Sequence, residues 1–153
     1  MMGGGLMEDP SNLDLRLFRV WMKATKAVAE NIRQDIANHN ISNENFMILE
    51  LLYHKGPHPV QKISEKFSIP SGSITYVVDK LEKKGLVERQ ANPKDRRASN
   101  VVLTQAGTAL FDEIFPKHAA TISQNLSFIS TAEKEQLIDL LKRIGIGAQN
   151  LEK

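Results

Sequence analysis

Apolar positions recur at helical spacing along most of this chain. Leu17, Trp21, Ala24, Val28, Ile32 and Ile36 fall three or four residues apart, which predicts one long helix from about Leu13 to Asn38. Phe46, Leu49 and Tyr53, with Ile48 and Leu52 beside them, predict a second helix over Asn43–His54. Ser42 is its N-cap, Ile41 and Phe46 form a hydrophobic staple, and Gly56-Pro57 stops it. Val60, Ile63 and Phe67 mark a short third helix from about His58 to Phe67, with Pro59 near its first turn, and Ser68-Ile69-Pro70 makes a turn. The next run, SGSITYVVDKLEKK, is β-branched at its centre, yet Ile74, Val77, Val78 and Leu81 share one helical face. The period therefore predicts a helix over Ser71–Lys84, capped by Ser71 and ended by Gly85. Its opposite face carries Gly72, Tyr76, Asp79 and Lys83, flanked by Ser73, Thr75 and Lys80, with no large aliphatic among them.

The period then changes. Leu86–Arg89 and Asn100–Leu103 read as short strands joined by a polar loop over Gln90–Ser99, with a turn at Asn92-Pro93. Helical spacing resumes after Thr104. Leu110, Ile114, Ile122 and Leu126 line a helix to about Phe128, with Pro116 placed to kink it. Ser130 and Glu133 form a capping box for a last helix lined by Leu137, Leu141 and Ile144 and ended by Gly145 and Gly147. The order helix, turn, helix, strand, loop, strand is a winged helix-turn-helix. The predicted fold is mainly α with a small β-hairpin wing, flanked by N- and C-terminal helices. The expected divisions are a disordered leader over 1–12, a helical dimerisation region over 13–40 and 104–153, and a DNA-binding lobe over 41–103. The helices outside the lobe carry more apolar stripe than one small core covers, which predicts a homodimer.

Composition adds exclusions. The absence of cysteine excludes disulfides, a thiol switch and Cys-ligated zinc. No apolar run is long enough to span a membrane, and MMGGGLMEDPSN lacks the basic and apolar parts of a signal peptide, so a cytoplasmic protein is expected. Net charge is only +2, but residues 62–100 hold nine Lys/Arg against five Asp/Glu. The positive surplus thus gathers where the winged pattern lies, as phosphate binding requires. The histidines show no ligand spacing: Gly56-Pro57 separates His54 from His58, while His39 and His118 read as isolated surface or cap residues. Neither a metal nor a cofactor is implied, and no nucleophile-base arrangement suggests an enzyme.

The candidate DNA contacts follow from groove chemistry. Ser71, Ser73, Thr75 and Tyr76 offer hydroxyls at a helix N-terminus for base edges and phosphates. Lys62, Lys80 and Lys83, with Lys66 and Lys84, would neutralise backbone phosphates. Arg97, with Arg96 beside it, would enter a minor groove. Asp95, two residues before Arg97, is placed to hold its guanidinium by a charge-assisted bond. Two other readings stay open. One is a winged helix used for protein interaction, which predicts no salt-dependent DNA binding. The other is a helical small-molecule-binding protein indifferent to changes on the fourth helix.

These residues resemble the MarR family of transcriptional regulators, from the first helix to the last. The carrying motifs are Asn45-Phe46 followed by ILELL, the run GSITYVVDKLEKKGLVER, and the loop NPKDRRASNVVLT leading into QAG. Within the family, LLYHKG, GSITYVVDKLEKKGL and EIFPKH are similar to regulators of methylhydroquinone and quinone resistance in Bacillus-type bacteria. The resemblance implies a homodimer with interleaved terminal helices that binds an inverted-repeat operator in double-stranded DNA, usually as a repressor. It also implies release by a small aromatic, phenolic or quinone-like effector in a cleft lined from the first, second and fifth helices. Trp21, Phe46, Tyr53 and Phe111 are the candidates for that cleft, against plain core packing for each. Relatives that sense oxidants through a cysteine in the first helix have no counterpart here.

Overall fold

The computed structural model describes residues 9–151, the Arg96 side chain excepted. Six helices and three strands follow in the order α1 (Pro10–Asn38), α2 (Asn43–Lys55), β1 (His58–Pro59), α3 (Val60–Phe67), α4 (Ser71–Lys83), β2 (Val87–Asn92), β3 (Asp95–Leu103), α5 (Gln105–Asn125) and α6 (Thr131–Gln149). The mainly helical architecture with a small antiparallel sheet is the one the periodicity predicts. Residues 1–8 of the expected leader lie outside the described residues. Pro10, Ser11 and Asn12 already belong to α1, because Asp9 caps it by accepting the Ser11 N–H at 3.0 Å and Pro10 suits the first turn.

The core sits inside the winged lobe. Phe46, Ile48, Leu49, Leu51 and Leu52 of α2 pack with Ile63, Ile74, Val78 and Leu81 of the helix-turn-helix, Val87 and Val101 of the sheet, and Phe111 and Ile114 of α5. The stripe on α1 is covered only at its C-terminal end. Ile36 is buried, Ile32 partly so, and Leu17 is 55% exposed. No residue of α6 is buried. Between them, α1 and α6 line an apolar groove of about 640 Å³ that includes Leu17, Trp21, Val28, Leu137, Leu141 and Ile144.

Local chemistry sets the joints. Ser42 and Thr104 cap α2 and α5 by accepting the N–H of Asn45 and Gly107. Ser130 and Glu133 close the reciprocal capping box of α6 at 3.1 and 2.8 Å. Those contacts with Ser130, its backbone N–H first, hold the Glu133 carboxyl below its ordinary range. One expected cap differs. Pro70 takes the N-cap position of α4 without a side-chain bond, so Ser71 is the first helical residue. The third helix also starts later than expected, at Val60, with Pro59 as its N-cap residue and His58–Pro59 in a two-residue strand.

Candidate nucleic-acid interface

The helix-turn-helix is held by its turn. Ser68 adopts a left-handed conformation (φ 53°), and Ser64 Oγ donates to the Ile69 carbonyl at 2.5 Å. The chain therefore reverses within Ser68–Pro70 and delivers α4 with Ile74, Val78 and Leu81 inward. At the far end Gly85 takes φ 75°. Its N–H bonds the Glu82 carbonyl, and the Leu86 N–H bonds that of Leu81. This is a Schellman closure that glycine makes without a Cβ penalty.

With that face inward, the polar face of α4 is open. Ser71, Gly72, Ser73, Thr75, Tyr76, Lys80 and Lys83 are exposed, Tyr76 by 60%. Lys80 Nζ lies 4.7 Å from the Tyr76 ring centroid, a cation–π contact that ties the two side chains together. Ser73, Tyr76, Lys80 and Lys84 face Ser42 and Asn45 at the start of α2 across a groove of about 580 Å³. Lys62, on α3, is exposed and lies 3.5 Å from Glu65.

The wing is longer than the sequence pattern suggests. The strands β2 and β3 pair from Val87↔Leu103 to Ala91↔Ser99, then resume at Asn92↔Asp95. Only Pro93 and Lys94 remain outside the strands. Arg96, Arg97 and Ala98 fall in the register shift, and such irregularities re-aim side chains at a hairpin tip. The expected Asp95–guanidinium bond is replaced by a backbone one. Asp95 Oδ1 accepts the Arg97 N–H at 2.9 Å, just as Asn92 Oδ1 accepts the Lys94 N–H. Short Asx side chains satisfy the nearest backbone donors first. Asp95 thus shapes the tip, and Arg97 extends from it exposed.

A residue the sequence reading passed over joins wing to helix. Arg89 of β2 donates to Asp79 Oδ1 at 2.7 Å and Glu82 Oε1 at 2.5 Å, both on α4. Its only sequence signal is a cation seven and ten residues beyond two acids, too weak to have found it. Gly107 was likewise overlooked. A Cβ there would meet the Leu86 carbonyl oxygen deep inside van der Waals contact, so the start of α5 docks on the α4–β2 corner only as glycine. Thr104 completes that joint, donating from Oγ1 to the Gly85 carbonyl at 2.6 Å.

Of the four aromatic candidates, three come together. Phe111 lies 5.3 Å from Phe46 and 5.0 Å from Tyr53, ring centre to ring centre, and Phe115 and His54 extend the cluster. Tyr53 donates its hydroxyl to Asp112 Oδ1 at 2.5 Å; that bond, more than desolvation or the carboxylate's charge, raises the phenol above its ordinary value. Trp21 does not join them. It stands in the α1–α6 groove against Phe18.

One histidine departs from expectation. His39 does cap α1, but His118 is 3% exposed and sits between Asp35 and Glu50. Among the described residues no group of three or more His, Asp or Glu is placed to hold a metal ion.

Residues 41–99 match the MarR family. The chain is 44% identical over 135 residues to the HTH-type transcriptional regulator MhqR of Bacillus subtilis (strain 168), covering 88% of this chain and 93% of that one. The chain belongs to the MarR family. It is accordingly a DNA-binding transcriptional regulator, with its likeness to MhqR spanning both the lobe and the flanking helices. Its fold matches that of a mutant MarR from Escherichia coli solved in complex with operator DNA, at TM-score 0.73, 22% identity, 90% of this chain and 99% of that one. It also matches Bordetella bronchiseptica BpsR, whose structure concerns regulation of DNA binding by 6-hydroxynicotinic acid. There the TM-score is 0.69 at 23% identity, over 83% of this chain and 91% of that one. No helix among the described residues is long and apolar enough to cross a membrane.

Proposed function

We propose that this MarR-family regulator is a homodimeric repressor that reads an inverted-repeat operator and is released by a small aromatic compound. The observation that carries the DNA reading is the open polar face of α4 lying beside a cationic wing. Ser71, Ser73, Thr75 and Tyr76 are assigned to base edges and nearby phosphates, Lys62, Lys80 and Lys83 to phosphates, and Arg97 with Arg96 to the adjacent minor groove. Asp95 shapes the tip from which Arg97 extends.

The dimer reading rests on α1 and α6. Leu17, Phe18, Trp21, Leu137, Leu141 and Ile144 are all exposed in one copy. A second copy covering them would remove a continuous apolar surface from water and set two recognition helices one turn of duplex apart, about 34 Å. Trp21 belongs to that interface. For the effector, the assigned site is the half-buried Tyr53 edge of the cluster whose Phe46 and Phe111 belong to the core, with the Tyr53–Asp112 pair as its polar end. An effector preferring a dimer with misplaced recognition helices by about 3 kcal/mol would lower operator occupancy over a hundredfold.

Fluorescence anisotropy with duplexes from the DNA upstream of the chain's own gene tests the reading. Tight binding to one segment containing an inverted repeat, lost when the repeat is shuffled, is expected. Equal affinity for both duplexes would overturn it. Titrating phenols and quinones into the complex then tests the effector, and release weakened by Tyr53→Phe is expected.

A further inference from the structure

Among the described residues, Asn45 and His118 are the buried polar side chains, and only His118 can change charge. It reaches from α5 into the junction where α1 and α2 meet. Its Nδ1 lies 3.4 Å from Asp35 Oδ2 on α1, and its Nε2 lies 3.9 Å from Glu50 Oε2 on α2. The Phe46 ring lies tilted against the imidazole, 4.6 Å between ring centres. The other oxygen of Asp35 accepts from Thr121 Oγ1 at 2.9 Å and faces His39 Nε2 at 3.7 Å. The groups around His118 are thus Asp35 and, behind it, His39 from α1, Glu50 from α2, and the Thr121 hydroxyl from its own helix.

A neutral imidazole has one N–H and one lone pair. Set between two carboxylates, it can donate to one and must turn its lone pair towards the other. The imidazolium has an N–H for Asp35 and a positive charge that attracts Glu50 as well. Asp35 and His118 belong to the long helices outside the winged lobe, whereas Glu50 lies on that lobe's first helix. We propose that proton uptake by His118 clamps the winged lobe to the helical frame, so that the operator is held more tightly on the acidic side of neutrality. With the proton gone, the contact to Glu50, whose side chain is 40% exposed, is lost, and the lobe, still joined to α5 through Phe46, Phe111 and Ile114, is oriented less firmly. That freedom must be surrendered when both lobes engage DNA, which weakens binding. The affinity part of this rests on the operator-binding reading above; the clamp itself does not.

The test compares wild type with His118→Gln, Glu50→Gln and His39→Gln. Operator affinity and amide exchange of α2, corrected for the intrinsic rate, are measured at about pH 6 and pH 8, where histidine changes charge. For wild type, affinity about fivefold tighter at the lower pH is expected, a typical coupling size, with α2 better protected there. Glu50→Gln and His118→Gln should flatten both responses, while His39→Gln keeps them. Should His118→Gln fail to fold, the more exposed Glu50 position decides alone. A pH response unchanged in Glu50→Gln, abolished in His39→Gln, or of opposite sign overturns the proposal. If no form binds the operator, the DNA reading fails instead, and α2 exchange still decides the clamp.

Discussion

Removing the Arg89 guanidinium tests whether the wing and the recognition helix work as one rigid unit. In Arg89→Ala two ion pairs to α4 disappear, at 2.7 Å to Asp79 and 2.5 Å to Glu82. Arg89 is 26% exposed and its partners more so, so each pair has the value of a screened surface contact, about 0.2–1 kcal/mol. The two together, with the packed arginine stem, contribute about 1–2 kcal/mol to stability. The effect on DNA has a second source. Asp79 and Glu82 lose their neutralising partner and add negative charge beside approaching phosphates. Operator affinity should therefore fall about tenfold, roughly 1.4 kcal/mol, more at low salt than at high. Urea unfolding and anisotropy measure the two effects separately. The double variant Arg89→Ala/Asp79→Asn should regain part of the affinity, because it removes one orphaned charge. If Arg89→Ala binds the operator as well as wild type, or Asp79→Asn restores nothing, the Arg89 bridge does not position the wing.

Three further outcomes follow from the same geometry. Gly107→Ala should destabilise the fold by about 2–4 kcal/mol in urea, since the new methyl meets backbone at the Leu86 carbonyl, not a movable side chain; a loss under half a kilocalorie would contradict that close approach. Leu141→Glu, which puts a charge into the α1–α6 groove, should shift sedimentation at micromolar concentration from dimer to monomer, and an unchanged dimer would place the interface elsewhere. Tyr53 should ionise above the ordinary tyrosine value because its hydrogen bond to Asp112, and then burial and charge, favour the neutral phenol. Its folded-state value is raised, so its contribution to stability is present below the unfolded value and lost as pH climbs through the folded one. Asp112→Asn should bring the ultraviolet-detected titration back down, and an unmoved titration would remove Asp112 as the cause.

Helices were legible in this chain because their signals are local. Ser42, Thr104 and Ser130 cap the helices they precede, and Gly85 ends α4. The polar face of α4 was visible too, as spacing alone keeps large aliphatics off it. The wing was legible in kind but not in length, because Gln90, Asn92 and Asp95 read as loop by composition and are strand by pairing. The strand β1 has no local signal at all. His58 and Pro59 become a strand by lying against Val101 and Asn100, and Pro59 is tolerated in so short an edge strand. His118 was misjudged for the same reason. Its partners stand 83 and 68 positions away, and nothing near it in sequence announces burial. Asp95 failed differently: spacing gave the right pair, but the backbone N–H of Arg97 lies nearer than its guanidinium.

The central claim, that α4 and the wing together grip DNA, is tested most directly by the salt dependence of operator affinity in wild type, Lys80→Ala and Arg97→Ala. Contact with six or more phosphates predicts a logarithmic slope of about −5 or steeper for wild type. Removing Lys80 should lower the slope by about one unit at every sequence, and removing Arg97 should weaken binding by about 1–3 kcal/mol. A flat salt response, or two variants that bind as wild type does, would contradict it.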